Sequence, residues 1–152
     1  MKKRLLASAI AVAFPMLATA APSNTVDAMA DKIEPQVIEW RRHFHQNPEL
    51  SNREFETAKT IAKFLTDLGL DVQTGVAKTG VVAVLDSGKP GPVVALRADI
   101  DGLPVTENTN LPFASKVMST NNGQETGVMH ACGHDTHIAM LMGAAKILTS
   151  MK

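Results

Sequence analysis

The spacing of apolar residues predicts a helix at the start of the chain. Apolar side chains three or four positions apart predict this helix over residues 27–46, with Asn47-Pro48 ending it. The apolar stripe consists of Ile33, Val37, Trp40 and Phe44. Because Pro35 has no backbone N–H to donate, we expect the regular part of the helix to begin near it.

A second helix is predicted to begin at Ser51. Ser51 as the N-cap and Glu54 three residues later match a capping box, and Gly69 is a typical C-terminal stop. The face predicted to be buried carries Phe55, Ala58, Ile61, Ala62, Leu65 and Leu68.

The apolar pattern then changes to short continuous runs that are typical of strands. Residues 81–85 and 93–96 are rich in Val and flank a turn over residues 86–92, and residues 71–74 predict a weaker strand. Continuous apolar strands are normally buried on both faces. We expect a loop over residues 102–129 and a final helix over residues 138–148. The pattern predicts the α/β class: part of a helix-flanked mixed sheet, with no internal repeat and no interdomain linker.

The first twenty residues have the pattern of a secretory signal peptide. A basic start, an apolar run over residues 5–17 and Ala18-Thr19-Ala20 predict cleavage after Ala20, export to the periplasm of a bacterium, and a domain over residues 21–152. The apolar run is too short for a bilayer-spanning helix, so we expect no membrane association after cleavage.

Composition narrows the function classes. Without Lys2, Lys3 and Arg4, the 15 basic residues fall to 12 against 15 acidic ones, a net charge of about −3. A mildly acidic domain with few aromatic residues is a poor nucleic-acid binder. The single Cys excludes an intrachain disulfide.

Two clusters of polar residues follow the predicted strands and are candidates for chemistry. Asp99 and Asp101 are two residues apart, so in an extended segment their carboxylates project to one side, as a metal site or an acid/base pair requires. The alternative is a solvated Asp-Gly turn, which the local sequence supports equally well.

The second cluster is richer in metal-binding donors. Residues 130–137 hold three of the five His residues and the only Cys, and Cys132 and His134 can point into one pocket. Thiolate and imidazole are good ligands for zinc-like metals, and Asp135 and His137 could support or join them. The alternatives are a buried structural Cys132, a His that caps the helix, and a Cys nucleophile with His134 as its base. Two further His residues, His43 and His45, are expected at the surface or behind the ligands.

Three segments together resemble one family. Residues 41–51 (RRHFHQNPELS), 95–107 (ALRADIDGLPVTE) and 129–145 (MHACGHDTHIAMLMGAA) are similar to the N-terminal part of the N-acyl-amino-acid amidohydrolases. This branch of the aminoacylase/carboxypeptidase metallohydrolases includes hippurate hydrolase and the plant auxin-conjugate hydrolases. The motifs occur in the family's order, and they are specific for the family but not for a substrate.

The resemblance implies a dinuclear metal site in an α/β catalytic domain. It implies that Cys132 and His134 are ligands, that Asp101 orients or polarises the site, and that Asp99 has a less defined role. Two divalent ions (Zn, Mn, Ni or Co) would activate water, and a Glu general base would accept its proton. The substrate would be a small N-acyl amino acid, hydrolysed to a carboxylic acid and an amino acid, and the full-length protein would be a homodimer.

The chain departs from the family in extent. The family's Glu-Glu segment with the general base, its further Glu and His ligands and its lid domain do not occur in these 152 residues, and neither Glu107 nor Glu125 lies in a Glu-Glu pair. We therefore expect an N-terminal fragment that is inactive alone. The alternatives are a non-catalytic remnant that binds metal weakly or associates with a partner, and a carboxypeptidase or aminopeptidase of the same family.

Overall fold

The computed structural model describes residues 24–152, so the predicted signal peptide lies outside the described residues. Three helices and two strand pairs follow one another along the chain. The helices are α1 (Asn24–Gln46), α2 (Phe55–Asp67) and α3 (His134–Ser150). The strands are β1 (Asp71–Val76), β2 (Gly80–Val84), β3 (Met118–Asn121) and β4 (Gln124–Gly127). The predicted α/β class is confirmed.

Helix α1 is continuous through Pro35, so the prediction that its regular part begins there was wrong. Pro35 and Asp31 both lie on the exposed face, where solvent can satisfy the Asp31 carbonyl that loses its helical donor. None of the described helices is long and apolar enough to span a bilayer.

The hydrophobic core lies between α1 and α3. Phe44 of α1 packs against Ile138 and Met142 of α3, and the half-buried residues around them are Trp40, Ile61, Phe64 and Ile100. A Cβ added at Gly143 would come within 3.1 Å of Val37 Cγ2, so the glycine permits the close approach of the two helices.

Helix α2 begins four residues later than predicted, and the capping box was wrong. The Glu54 carboxylate is buried and accepts hydrogen bonds from Asn52 N (2.9 Å) and Thr79 Oγ1 (2.7 Å) instead of capping the helix. The amides of Glu56 and Thr57 donate to the Glu49 carboxylate, which therefore caps the first turn from outside the predicted motif.

The predicted end of α2 at Gly69 is confirmed. Gly69 has a φ of +76°, and its amide donates to the Thr66 carbonyl while the Leu70 amide donates to the Leu65 carbonyl. This pair of bonds is the Schellman arrangement, which needs a residue that tolerates the left-handed conformation. The predicted buried face is only partly correct, because Phe55 is exposed.

The predicted strands over residues 71–74 and 81–85 are present as β1 and β2, paired antiparallel. Their predicted burial on both faces was wrong, because Val82 and Val84 of β2 remain exposed. Helix α2 packs against this pair. No second layer covers the other face within residues 24–152, so one face of an apolar strand is left in solvent.

Residues 93–96 form no strand in the described part of the chain, which corrects the prediction there. Val93 is 99% exposed, and Val94 and Leu96 are also exposed. A strand exists only when a neighbour pairs with its backbone, and within residues 24–152 no segment pairs with residues 93–96. The apolar composition of residues 93–96 was therefore not sufficient to predict a strand.

The predicted loop over residues 102–129 contains a hairpin that the sequence analysis missed. Strands β3 and β4 pair antiparallel around Asn122-Gly123, and both turn residues have positive φ. Asn-Gly is the preferred pair for such two-residue turns, so the signal was present in the sequence.

Two isolated bridges connect the segment before this hairpin to its surroundings. Leu50 pairs with Gly102, whose amide donates to the Glu49 carbonyl at 2.7 Å, and Leu103 pairs with Met129. Residues 99–103 are thereby held beside residues 129–134, which brings the two predicted chemical clusters together.

We expect Gly102→Ala to destabilise the fold by about 1–3 kcal/mol, because overpacking a filled interior has that cost. An added Cβ would lie 2.9 Å from Pro48 Cβ and 3.0 Å from Val128 Cγ1. Urea unfolding followed by the fluorescence of Trp40 measures the change. Gly91→Ala is the control, since a Cβ there meets nothing within 4 Å, and equal stability of the two variants would contradict the prediction.

Candidate metal centre

Three side chains from the two predicted clusters converge on one point. One donor atom each of Asp99, His134 and His137 lies within 4.8 Å of the other two. His134 opens α3, and His137 is three residues later on the same face of the helix. Asp99 comes from the extended segment that the Leu50–Gly102 bridge holds in place. Carboxylate and imidazole donors at this separation can share one divalent ion.

The Asp99 carboxylate is prepared for a cation. A hydrogen bond from Arg97 (2.8 Å from Nη2) and the charge of the same guanidinium lower the pKa of Asp99, against a smaller effect of desolvation. Asp99 is therefore ionised at neutral pH, which is the form that binds metal.

Asp101 supports His134 rather than joining the three donors. His134 Nδ1 lies 3.0 Å from Asp101 Oδ1 and 3.0 Å from the Asp101 carbonyl oxygen. An imidazole held in this way at one nitrogen presents the other in a fixed direction. This contact is compatible with the orienting role that the resemblance implies for Asp101, and that role stays a prediction.

His130 is a buried imidazole without a partner. It is 4% exposed, and neither ring nitrogen has a hydrogen-bond partner in the described structure. Burial lowers the pKa of His130, although the charge of Asp135 partly opposes the shift. The His130 ring is therefore neutral, and one of its two nitrogens carries a free lone pair.

Cys132 and Asp135 do not belong to the group of three donors. The Cys132 thiol is exposed, so the alternative of a buried structural cysteine was wrong, and its predicted ligand role stays a prediction. Asp135 is fully buried and is bound by Arg41 Nε (2.7 Å) and His45 Nδ1 (2.9 Å) on the same oxygen, Oδ2. Asp135 therefore belongs to a buried hydrogen-bonded network with Arg41 and His45, next to His134 in sequence but separate from the three donors.

The network extends through His45 to Glu107. His45 Nε2 lies 3.1 Å from Glu107 Oε1, and the second carboxylate oxygen of Glu107 accepts the Ser115 amide. Desolvation opposes the charge of Glu107, but the hydrogen bonds from Thr109, Ser115 and His45 outweigh it and lower the pKa of this carboxyl. The network consists of four side chains: Arg41, His45, Asp135 and Glu107.

The sequence analysis missed most of this network. It expected His45 at the surface or behind the ligands, and the ring is 3% exposed behind them, whereas its neighbour His43 is exposed. Arg41 and His45 are four residues apart, so they share one face of α1, and that was the available signal. Nothing in the local sequence indicated that Glu107 meets this face.

The residues present fit a divalent metal ion. The donors are one ionised carboxylate and two imidazoles, and the buried His130 ring nearby has no hydrogen-bond partner in the described structure. The fit is to a borderline metal with mixed N and O ligands.

Comparison with known proteins identifies the family. Residues 95–152 match the model of peptidase family M20/M25/M40. The chain is 51% identical over 122 residues to thermostable carboxypeptidase 1 of Saccharolobus solfataricus. This alignment covers 80% of the present chain and 29% of the carboxypeptidase. The chain is also 50% identical over 116 residues to N-acetyl-L-cysteine deacetylase of Bacillus subtilis. This alignment covers 76% of the present chain and 26% of the deacetylase. The chain belongs to peptidase family M20/M25/M40.

A solved structure agrees with this membership. The YXEP protein of Bacillus subtilis, described as a dinuclear metal-binding peptidase of the M20 family, superposes with a TM-score of 0.69 at 43% identity. The match covers 80% of this M20 chain and 32% of that one, so the sequence spans about a third of its relatives' length. The resemblance stated from the motifs is confirmed, and membership implies a divalent metal cofactor.

We expect Glu107→Gln to lower the free energy of unfolding by about 1–3 kcal/mol at pH 7, because a buried hydrogen-bonded charge is lost. The folded pKa of Glu107 lies below its ordinary 4.5, so its stabilising effect is complete above pH 4.5 and disappears as the pH falls through the folded pKa. Urea unfolding at several pH values from 7 to 3 should therefore show the two proteins converging in acid.

The control is Glu125→Gln, the same change at an exposed position. A constant difference between wild type and Glu107→Gln across this pH range would show that the Glu107 charge does not stabilise the fold.

Proposed function

We propose that this chain supplies metal-binding side chains to a metal-dependent amidohydrolase of the M20 family that hydrolyses N-acyl amino acids to a carboxylic acid and an amino acid. The convergence of Asp99, His134 and His137 is the observation that carries the proposal. The name of the Bacillus deacetylase supports an N-acyl substrate. The name of the Saccharolobus protein supports carboxypeptidase activity, which we keep as the second candidate.

Each residue has a distinct part in the proposed site. Asp99, His134 and His137 would hold metal, with Cys132 as a further ligand, and Asp101 fixes the ring of His134. When bound, divalent metal polarises the scissile carbonyl and lowers the pKa of attacking water. We propose two ions drawn from Zn, Mn, Ni and Co, in line with the dinuclear site of the YXEP protein.

Glu107 is not the general base in this proposal. A general base needs a free carboxylate oxygen within reach of the proton that it abstracts. Both oxygens of Glu107 are engaged, one by His45 and Thr109 and the other by the Ser115 amide. The base is therefore expected in sequence that corresponds to the remainder of the relatives, and the chain alone is expected to be inactive.

We expect the chain to bind Co²⁺ through the three donors. Isothermal titration and the visible absorption of the bound ion measure affinity and ligand geometry. His134→Ala and Asp99→Asn should each weaken binding about tenfold or more, since even residues that only support metal ligands contribute that much. Asp86→Asn makes the same chemical change at an exposed turn and should leave binding unchanged. Equal affinities in all four proteins would contradict the assignment of the centre.

The activity is tested in a chimera of the Bacillus deacetylase. In it, the 116-residue segment that aligns with this chain is replaced by the aligned segment of this chain. The chimera should hydrolyse N-acetyl-L-cysteine and hippurate, and His134→Ala should reduce kcat/KM by about a hundredfold or more, as for loss of a charge-stabilising group. Release of C-terminal residues from peptides instead would favour the carboxypeptidase. A folded, metal-binding chimera without any turnover would favour the non-catalytic alternative.

A further inference from the structure

We propose that His45 is a positioning residue, which sets the geometry of the Asp99–His134–His137 centre from behind helix α3. The inference rests on the proposed metal centre. The hydrogen bonds of His45 in the described structure go to Asp135 and Glu107 and to none of the three donors, so its effect is transmitted through these two carboxylates.

The first step of the argument is the bridge itself. His45 lies on α1, Asp135 lies in the first turn of α3, and Glu107 lies in the segment between Gly102 and β3. Carboxylates only accept hydrogen bonds, so a ring that donates from both nitrogens satisfies both contacts at once. The imidazole therefore joins three separate parts of the chain through two hydrogen bonds to buried carboxylates.

The second step is the position of Asp135 in the first turn of α3. It lies between His134 and His137 in sequence, so any rotation of the turn about the helix axis moves all three together. The N-cap of α3 is Gly133, which offers no side-chain hydrogen bond to the turn. The side-chain contacts that fix this turn are therefore the contact of His134 with Asp101 and the buried contacts of Asp135 with α1.

The third step separates His45 from Arg41, the other partner of Asp135. The Arg41 side chain is about one-third exposed, whereas those of His45 and Asp135 are buried. Arg41 and His45 both contact the Phe113 ring, so burial is what distinguishes them. A long, partly solvated side chain adapts to movement of its partner more readily than a short, buried ring does. Loss of His45 would also leave an oxygen of buried Glu107 without its imidazole partner, which favours local rearrangement.

The test compares His45→Gln with His43→Gln in the full chain. Gln reaches a similar distance but cannot replace both ring donors, and His43 is an exposed residue of the same helix. Three quantities are measured: the ring resonances of His134 and His137 in the metal-free chain, the affinity and visible spectrum of Co²⁺, and the melting temperature. Glu107→Gln weakens the contact between His45 and residue 107 while His45 itself is retained, so it is the milder variant.

We expect His45→Gln to shift the ring resonances of His134 and His137 and to change the Co²⁺ spectrum. We also expect it to weaken Co²⁺ binding about 10- to 100-fold, which is the usual loss of affinity when a residue that orients metal ligands is replaced. Glu107→Gln should show the same changes at smaller size, and His43→Gln none of them. If His45→Gln does not fold, Glu107→Gln decides the question with the same readouts.

A lower melting temperature with unchanged ring resonances and an unchanged Co²⁺ spectrum would overturn the inference, because His45 would then be only structural. Absence of Co²⁺ binding by the wild type would overturn the proposed metal centre instead. In that case the metal-free ring resonances still decide whether His45 positions His134 and His137, so the two failures are distinguishable.

Discussion

The burial of the Asp135 carboxylate is the constraint on which the arrangement of this chain depends. A charge without solvent contact is stable only when other groups neutralise and hydrogen-bond it. Arg41 of α1 supplies an opposite charge and His45 of α1 a hydrogen bond, both on one carboxylate oxygen. The first turn of α3 is consequently bound to the last turns of α1 by charge, beside the apolar contacts of Phe44, Ile138 and Met142.

The candidate metal centre follows from that anchoring together with two backbone bridges. The Leu50–Gly102 and Leu103–Met129 pairs place Asp99 and Asp101 next to the start of α3. Asp101 contacts His134 Nδ1, Asp99 is held ionised by Arg97, and His137 follows one turn later along the helix. Donors that are distant in sequence are thus assembled by contacts that are themselves not donors, as is usual for metal sites with supporting residues.

The polar groups around the centre divide by burial into two sets. The three donors are partly exposed, whereas the side chains of the second set are enclosed by protein: Asp135, His45, His130 and Glu107. In the enclosed set Glu107 has a depressed pKa because several hydrogen bonds favour its charge, and His130 has a depressed pKa because burial disfavours its charge. The enclosed set therefore combines a carboxylate held ionised with an imidazole held neutral.

The sequence by itself determined the helices, the positions of strands β1 and β2, the Gly69 stop and the family, because each depends on local periodicity, local turn chemistry or a contiguous motif. It also singled out Asp99, Asp101, His134 and His137 as candidates, since these residue types cluster within short segments. Only the tertiary structure decided that residues 93–96 form no strand, that Glu49 rather than Ser51 caps α2, and that His45 joins Asp135 to Glu107. These outcomes depend on partners about 8 to 90 residues away along the chain, and local sequence carries no information about which distant group will supply a hydrogen bond or a charge.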